Sequence, residues 1–329
     1  MPTASILLCH PSNWVANEMQ QAVHDANFTA RCDFVADLTE AYNFVEHKKP
    51  ECLIISAELA LRPEFELLGA LLNQLSIGCI VWGNLGGRPL PASPPNLLHR
   101  GGPVSISDFL AMLKSATIPT TTSHYAETSN PAPQLGDPNR IILIGASTGG
   151  VDALTRVLVH FAEQSPPTLI VQHTGGRFAP SLIRLLDRAT SATVVAASDG
   201  QPLQKGHVYL SPGDHVHLSL SKTTRRIIAL DESAAVSGHR PSVDVLFHSA
   251  IAHGPHVSAA LLTGMGKDGA CGLKALRNAG AQTIVQDQAT SVVYGMPRIA
   301  AQMGAAMAEL PIDAIGPRLL GAAQTRAIA

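Results

Sequence analysis

A serine in a glycine-rich segment is the first candidate for chemistry. Residues 145–150 read GASTGG, which matches the pattern G-x-S-x-G with Ser147 at its centre. Glycines here allow a tight turn from a strand into a helix, and such a turn exposes the serine hydroxyl next to main-chain amides at the helix N-terminus. Ser147 could therefore act as a nucleophile, and the amides could stabilise an oxyanion. A glycine-rich phosphate or dinucleotide loop explains this segment equally well.

The next strand-like segment favours the nucleophile. A dinucleotide-binding fold calls for an acidic residue about 20 residues further along the chain, to hold the ribose hydroxyls. Instead, the segment TLIVQ ends at His173. A single histidine among 14 is more often structural than catalytic. An imidazole at the end of a strand beside Ser147, however, could take the serine proton as a general base.

A third strand-like segment supplies an acid. SAALLTG runs into the turn GMGKDG, in which Asp268 is the only acidic residue. A carboxylate there could orient the imidazole and stabilise its charged form, and it could at the same time cap the helix that follows. The chain order is serine, histidine, aspartate. In α/β-hydrolases the acid precedes the histidine, so the order indicates a different lineage of serine hydrolases.

These residues need elements that bring strand ends together. In residues 140–329 the strand-like segments alternate with helical patterns at 151–161, 180–188, 243–253 and 272–279; the strand-like segments are RIILIG, TLIVQ, ATVVAA, SAALLTG and QTIVQ. This alternation predicts an α/β fold with a doubly wound parallel sheet, whose sites lie at the carboxyl ends of the strands. The segment HVYLSPGDHVHLSL alternates polar and apolar residues, which indicates a hairpin or a strand near a sheet edge.

The N-terminal part of the chain has a second α/β pattern. In residues 1–116 the segments SILLCH, CLIIS and CIVWG are strand-like, and helical patterns cover 14–24, 64–75 and 107–115. A second parallel sheet is expected there. Residues 117–139 are rich in Pro, Thr, Ser and Asn and lack hydrophobic periodicity, which is typical of an exposed linker.

Composition restricts the class of protein. Hydrophobic residues make up 46% and charged residues 15%, as expected for globular domains. The formal net charge of −2 gives no reason to expect a nucleic acid partner. The five cysteines are scattered without metal-ligand spacing, which is typical of a reducing cytosol. No signal segment or apolar run long enough to cross a bilayer is evident, so we expect a soluble, cytoplasmic protein without membrane insertion.

Six motifs in order resemble a known family. GASTGG, VQH, DGQPLQKGHVYLSPGDHVHL, RPSVDVLF, LLTGMGKDGA and VVYGMP are similar to the catalytic domain of the chemoreceptor methylesterase family, of CheB type, over residues 140–311. The resemblance implies Ser147 as nucleophile, His173 as base and Asp268 as orienting acid. It also implies that Thr148 and Met265 line the site and that Met265 contributes an oxyanion-hole amide.

The resemblance also implies a reaction and a partner. Members hydrolyse glutamate γ-methyl esters on the cytoplasmic helices of chemoreceptors through an acyl-enzyme, and the same chemistry would deamidate matching glutamines. It requires no metal or cofactor. Two alternatives stay open: a serine hydrolase acting on another ester or amide, and a chemosensory regulatory or binding protein that has lost catalysis.

In the family a receiver domain precedes the linker, and phosphorylation of an aspartate after its third strand relieves inhibition of the esterase. A receiver needs paired acids for Mg²⁺, an acceptor Asp and a Lys near the phosphoryl group. Here the first strand ends in His10, the third ends in Ser56, and residues 99–103 read HRGGP where the Lys is expected. Glu58 lies two residues too far along. We therefore expect a receiver-like domain without phosphorylation, which docks other chemosensory proteins or restrains the site by other means.

Three further motifs have less specific interpretations. PGDH at 212–215 and RPSVD at 240–244 could shape a substrate groove, but an ordinary turn and a helix cap by Ser242 explain them as well, and we favour the structural reading. YGMP at 294–297 follows a strand and is predicted to wall the site.

Overall fold

The computed structural model describes residues 5–12, 15, 18–19, 21, 31–91, 94, 97–101, 139–174, 178–221 and 226–321. The chain forms two compact units, Met1–Glu127 and Thr128–Ala329. All but the last residue of the predicted linker, 117–139, lies outside the described residues, as does the predicted helix at 107–115. Of the predicted helix at 14–24, the four described residues are helical.

The first unit contains a parallel sheet of five strands. They are β1 (Ser5–Cys9), β2 (Arg31–Val35), β3 (Cys52–Ser56), β4 (Gly78–Trp82) and β5 (Leu97–Arg100). Their order is β2-β1-β3-β4-β5, and every pairing is parallel. This is the flavodoxin-like order of a receiver-like domain, so the predicted fold class is confirmed. The helices described here are α1 (Leu38–Lys48), α2 (Ala57–Ala60) and α3 (Phe65–Gln74).

The second unit contains a larger parallel sheet. Its strands are β6 (Ile141–Ala146), β7 (Thr168–Gln172), β8 (Thr193–Ala196), β9 (His207–Leu210), β12 (Val257–Leu261), β13 (Gln282–Gln286) and β14 (Ala308–Leu310). Their order is β14-β13-β12-β6-β7-β9-β8, with all pairings parallel. After β6 the chain continues to β7, which pairs with one side of β6, and the later strand β12 pairs with the other side. The switch point of this doubly wound sheet is therefore at β6.

Six helices are described in this unit, on the connections between strands and after the last one. They are α4 (Gly150–Leu158), α5 (Ala179–Arg188), α6 (Val243–Ser249), α7 (Ala270–Asn278), α8 (Met296–Gln302) and α9 (Ile312–Leu319). Strands β6, β7 and β12 are buried along their whole length, as expected for parallel strands covered on both faces. No helix in the described ranges is long and apolar enough to span a membrane.

Of two local predictions, one is confirmed in its second alternative and one needs correction. HVYLSPGDHVHLSL does not form one hairpin, but its first strand, β9, lies near the sheet edge, between β7 and the edge strand β8. The strand β10 (His217–Leu220) pairs antiparallel with β11 (Ile228–Asp231) in a separate ribbon. The helix predicted at 243–253 ends at Ser249, and a 3₁₀ helix covers Ile251–His256. Pro255 lacks the amide that an α-helix would need there.

Candidate active site

The turn that carries Ser147 requires its glycines. Gly149 has φ +82°, and a Cβ there would lie 2.5 Å from the side chain of Val292. At Gly150, which starts α4, a Cβ would lie 2.1 Å from the side-chain oxygen of Gln172. The two neighbouring strands also hold the turn. The Ser147 N–H donates to the Thr263 carbonyl (3.0 Å), and the Gln172 amide donates to the Ser147 carbonyl (2.9 Å).

His173 follows β7 directly, and hydrogen bonds from its main-chain N–H and from one ring nitrogen hold it in place. Its N–H donates to the Ala146 carbonyl at the end of β6 (3.1 Å). Its Nε2 donates to Oδ2 of Asp268 at 2.9 Å, and the two side chains are only 9% and 0% exposed. The other nitrogen, Nδ1, is buried and has no hydrogen-bond partner within the described residues. One nitrogen is thus left to receive a proton.

Asp268 accepts hydrogen bonds from four donors. Besides His173 they are the Ser242 hydroxyl (2.7 Å), the Val243 N–H (2.7 Å) and the Asp244 N–H (3.1 Å). Burial raises the pKa of Asp268, but the hydrogen bonds from His173, Ser242 and Val243 outweigh it and hold the pKa below its usual value. The carboxylate therefore stays ionised beside the imidazole.

The predicted cap by Asp268 of the helix that follows it is wrong. The N-cap of α7 is Gly269, in the left-handed region at φ +86°, and Asp268 instead contacts the first amides of α6. The cause is the close approach of the two helices. Gly272 in α7 has no side chain, and a Cβ there would lie 2.6 Å from Phe247 of α6.

Ser242 and His217 form a support behind Asp268. Ser242 caps α6, as predicted, by accepting a hydrogen bond from the Val245 N–H (3.4 Å), and its hydroxyl also donates to Asp268. The Ser242 N–H donates to Nδ1 of His217 (3.1 Å), whose Nε2 donates to the Ala234 carbonyl (3.1 Å). His217 is fully buried and neutral in this arrangement, because its Nδ1 acts as an acceptor.

The ring of His239 stacks on the ring of His173. The ring centroids are 3.8 Å apart, and the planes differ by 5°. Burial lowers the pKa of His239 and the neighbouring His173 lowers it further, while Asp268 opposes them. Sequence reasoning missed this residue. The only available signal was its position directly before the RPSVD motif.

Two main-chain amides near Ser147 are available to a ligand. Within the described ranges, the N–H groups of Thr148 and Met265 donate to no protein acceptor. The Ser147 carbonyl, in the same peptide group as the Thr148 N–H, accepts hydrogen bonds from the Gly150 N–H (2.7 Å) and the Gln172 amide (2.9 Å), which fix this peptide. The Met265 side chain is 67% exposed. Both residues that the resemblance assigned to the lining of the site therefore carry free donors.

The segment at 294–297 contacts the turn that contains Met265. Gly264 donates to the Val293 carbonyl (3.0 Å) and accepts from the Met296 N–H (2.8 Å). A Cβ at Gly295 would lie 2.6 Å from the Gly264 carbonyl oxygen. The segment at 212–215 has a structural contact, because Arg240 Nε donates to the Asp214 carbonyl (3.1 Å).

In the receiver-like unit, the described residues at three positions expected to hold a phosphoryl group or Mg²⁺ make other contacts. His10 accepts a hydrogen bond from the Ser12 N–H (3.0 Å), and burial lowers the pKa of its imidazole. Ser56 caps α2 by accepting from the Leu59 N–H (3.4 Å). The Glu58 carboxylate pairs with Arg62 at 3.5 Å. These residues offer no pair of carboxylates, so they do not fit the magnesium site of a receiver. Positions 102 and 103 lie outside the described residues.

The fold and the site together define a class of protein. It is a doubly wound α/β protein with a serine in a strand-to-helix turn and a buried histidine–aspartate pair at the adjoining strand ends. The chain belongs to the CheB methylesterase family, whose model matches residues 142–319.

Individual relatives agree with this assignment. The chain is 44% identical over 222 residues to a protein of Gluconobacter oxydans named protein-glutamate methylesterase/protein-glutamine glutaminase, a match that covers 66% of this chain and 62% of that protein. A Bordetella pertussis protein of the same name is 42% identical over 233 residues, covering 69% and 67%. The chain thus spans less than two thirds of the length of the Gluconobacter protein.

A solved structure also resembles the second unit. The catalytic domain of Thermotoga maritima CheB methylesterase is 35% identical, with a TM-score of 0.53. The match covers 55% of this chain and 97% of that domain.

Proposed function

We propose that this chain hydrolyses glutamate γ-methyl esters on the cytoplasmic helices of chemoreceptors. The observation that carries the proposal is the buried Asp268 carboxylate, ionised and bonded to His173 at 2.9 Å, at the strand ends beside Ser147. The names of the relatives supply the protein-glutamate methyl ester, and the resemblance of the six motifs implies the chemoreceptor helices that carry it. Since its substrate helices are cytoplasmic, the protein would act in the cytoplasm.

In the proposed reaction, the Ser147 hydroxyl attacks the ester carbonyl while His173 takes its proton. Because Nε2 is bonded to Asp268, the accepting nitrogen is Nδ1. The Asp268 carboxylate stabilises the resulting imidazolium. The amides of Thr148 and Met265 donate to the oxyanion. When the tetrahedral intermediate collapses, the proton on His173 passes to the departing methoxy group, and methanol leaves.

The acyl-enzyme is then hydrolysed, with His173 acting first as the base for water and then as the acid for Ser147. His173 removes a proton from water, the hydroxide attacks the acyl carbon, and Ser147 leaves with the proton that His173 returns. A glutamine side chain would follow the same course with ammonia as the leaving group. No metal ion or cofactor takes part in these steps.

Replacement of the nucleophile tests the proposal. Ser147→Ala removes the hydroxyl that forms the acyl-enzyme in the proposed reaction, so methanol release from methylated receptor membranes should fall to the background rate. Ser233→Ala, at an exposed serine bonded to Asp231, is the matched control and should keep the full rate. Release by Ser147→Ala at the wild-type rate would exclude this mechanism. Absence of release by the wild-type chain would favour a binding protein, or a hydrolase of another ester.

We further propose that the receiver-like unit acts without phosphorylation. It either docks other chemosensory proteins or restrains the esterase site by other means. Neither His10 nor Ser56 provides the acids that an aspartyl phosphate and its Mg²⁺ need, and both side chains are engaged in local hydrogen bonds. Incubation with a small phosphodonor and Mg²⁺, followed by intact mass measurement, should leave the mass unchanged. A stable gain of one phosphoryl group would contradict this proposal and leave the esterase proposal intact.

A further inference from the structure

A cavity of about 680 Å³ lies beside the candidate active site. It borders the site at two points: His239, whose ring stacks on His173, and Met265, whose amide is free. The opposite wall comes from Tyr294, Arg298 and the segment around them, at the start of α8. A substrate that places an ester at Ser147 would therefore extend into this cavity.

The cavity is lined by two cations and, within the described residues, by no acid. The cations are Lys267, next to Asp268 in the chain, and Arg298 in α8. Both side chains are exposed, and neither forms a hydrogen bond or a salt bridge within the described part of the chain. By contrast, Lys274 and Arg277 of the neighbouring α7 each donate to the Gly304 carbonyl (2.9 and 2.8 Å). The two cations of the cavity are thus free to pair with a ligand.

Two acids among the described residues, Glu309 and Asp287, act on Tyr294 in this wall, and each accepts a hydrogen bond from a neighbouring hydroxyl. Glu309 accepts a hydrogen bond of 2.6 Å from the Tyr294 hydroxyl, and this bond, with burial, raises the pKa of Tyr294 to about 12. Arg298 lies near enough to Tyr294 to oppose that rise. Among the described residues, the lining of the cavity therefore combines two cations that form no ion pair with the apolar side chains of Met265 and Ile299.

We propose that Lys267 and Arg298 form a subsite for a carboxylate of the substrate helix, adjacent to the esterified glutamate. The inference rests on the proposed function and names a second feature of the same substrate. A methyl ester is neutral and makes no use of two cations in the ground state, whereas a neighbouring acidic side chain pairs with both. Met265 and Ile299 would contact the apolar part of the same helix.

The subsite should affect binding more than chemistry. A carboxylate held outside the reacting group makes the same contacts in the ground state and in the transition state, so its loss raises KM and leaves kcat nearly the same. Two exposed ion pairs of this kind correspond to about a fivefold change in kcat/KM at low salt. Salt should reduce the effect, because both cations are exposed to solvent.

The experiment compares two receptor membranes loaded with radioactive methyl esters. In one, the carboxylates within one helical turn of the esterified positions are intact, and in the other they are changed to alanine, because glutamine would itself be a substrate of the proposed reaction. Initial rates of methanol release are measured over a range of membrane concentrations and are expressed per methyl group loaded. They give kcat and KM for the full chain. The wild-type chain should show about a fivefold higher kcat/KM on the acidic membranes. In Lys267→Gln/Arg298→Gln this ratio should fall to about one.

Two further variants separate a charge effect from damage to the site. Lys205→Gln removes an exposed lysine that does not line the cavity, and it should keep the wild-type ratio. Lys267→Glu/Arg298→Glu should reverse the preference, so that membranes with lysine at the flanking positions are the better substrate. A wild-type ratio near one would overturn the subsite while the proposed esterase stands. No release from either membrane by the wild-type chain would overturn both.

Discussion

The imidazole of His173 is held in one orientation by contacts on its edge and on its face. Nε2 donates to Asp268, and the ring of His239 lies parallel to it at 3.8 Å. In the familiar serine protease arrangement Nδ1 faces the acid and Nε2 faces the serine. Here the assignment is reversed, so in the proposed reaction the nitrogen nearer the ring's attachment to the chain, Nδ1, takes the proton of Ser147. Proton transfer therefore depends closely on the tilt of this ring.

The stacked ring of His239 gives a prediction at this scale. Parallel aromatic contacts contribute about 0.5–1.5 kcal/mol, and loss of this contact would let the His173 ring tilt about its bond to Asp268. His239→Ala should lower kcat about tenfold with little change in KM. His239→Phe keeps a flat ring and should retain most of the activity.

The comparison also separates stacking from charge. Because its pKa is lowered by burial and by His173, His239 is neutral near neutral pH, as phenylalanine is. The profile of kcat against pH should then be the same for the wild-type chain and His239→Phe above neutral pH. Equal losses in the Ala and Phe variants would mean that the imidazole of His239 acts through its nitrogens and not through its face.

At the scale of elements, the N-terminus of α6 supports the acid. Ser242, Val243 and Asp244 surround the Asp268 carboxylate with one hydroxyl and two amides, all delivered by the first turn of this seven-residue helix. His217 of β10 fixes Ser242 in turn. The ribbon of β10 and β11, which is outside the main sheet, thereby contributes to the position of a residue at the sheet's switch point.

Ser242→Ala tests this support. The change removes the cap on the Val245 amide and one donor to Asp268, so the free energy of unfolding should fall by about 1–2 kcal/mol at pH 7. The folded pKa of Asp268 lies below its unfolded value, so ionisation stabilises the fold above about pH 4, and this contribution is lost as the pH falls through the folded pKa. Without Ser242 the folded pKa rises toward the unfolded value.

The loss in stability should therefore be largest near neutral pH and should shrink as the pH falls from about 4 through the lowered folded pKa of Asp268 in the wild-type chain. Urea unfolding followed by circular dichroism between pH 3 and 7, in steps of about one unit, measures it. Ser233→Ala, which removes an exposed serine–carboxylate hydrogen bond of 2.7 Å to Asp231, is the control and should cost much less. A Ser242→Ala deficit that does not vary with pH would mean that only the cap matters.

The predictable parts of this molecule are those with a local signal. Continuous apolar runs identified β6, β7 and β12, and the glycine-rich turns after β6 and β12 directed attention to Ser147 and Asp268. The supports of the site were not predictable in the same way. His217 meets Ser242, and Ser242 meets Asp268, across 25 and 26 residues of chain, through contacts that exist only after α6 packs on α7.

The boundaries of short elements were also beyond the sequence patterns. The strand β2 reads RCDFV, with two charged residues among five, and so lacks the apolar run that identified β1 and β3. The segment around β9 and β10 has one continuous alternation of polar and apolar residues, and nothing local divides it between two sheets. Which strand receives β9 depends on the free edge of β7, a property of the assembled sheet.

At the scale of the whole molecule, the two units differ in how many of the residues expected for their proposed roles they contain. The described side chains and amides assigned to the reaction all lie between positions 147 and 268, inside the second unit, and so do the supports from His217, His239 and Ser242. The first unit has the strand order of a receiver-like domain, but its described residues His10 and Ser56 stand where a receiver would need acids. Activity and phosphate-dependent control should therefore separate cleanly.

Removal of the first unit tests that separation. A chain that starts at Pro138 retains every residue of the proposed mechanism, and the matching Thermotoga domain was crystallised as a catalytic domain without a receiver. We expect the truncated chain to release methanol with a kcat equal to or higher than that of the full chain, and Ser147→Ala to abolish it in both. Addition of a phosphodonor and Mg²⁺ should leave the ratio of the two rates unchanged, since His10 and Ser56 stand where a receiver would need an acid for Mg²⁺ and an acceptor aspartate. If the truncated chain folds, as judged by circular dichroism, but releases no methanol, the first unit contributes to the site. If the ratio of the truncated rate to the full-chain rate falls when phosphodonor is added, phosphorylation activates the full chain.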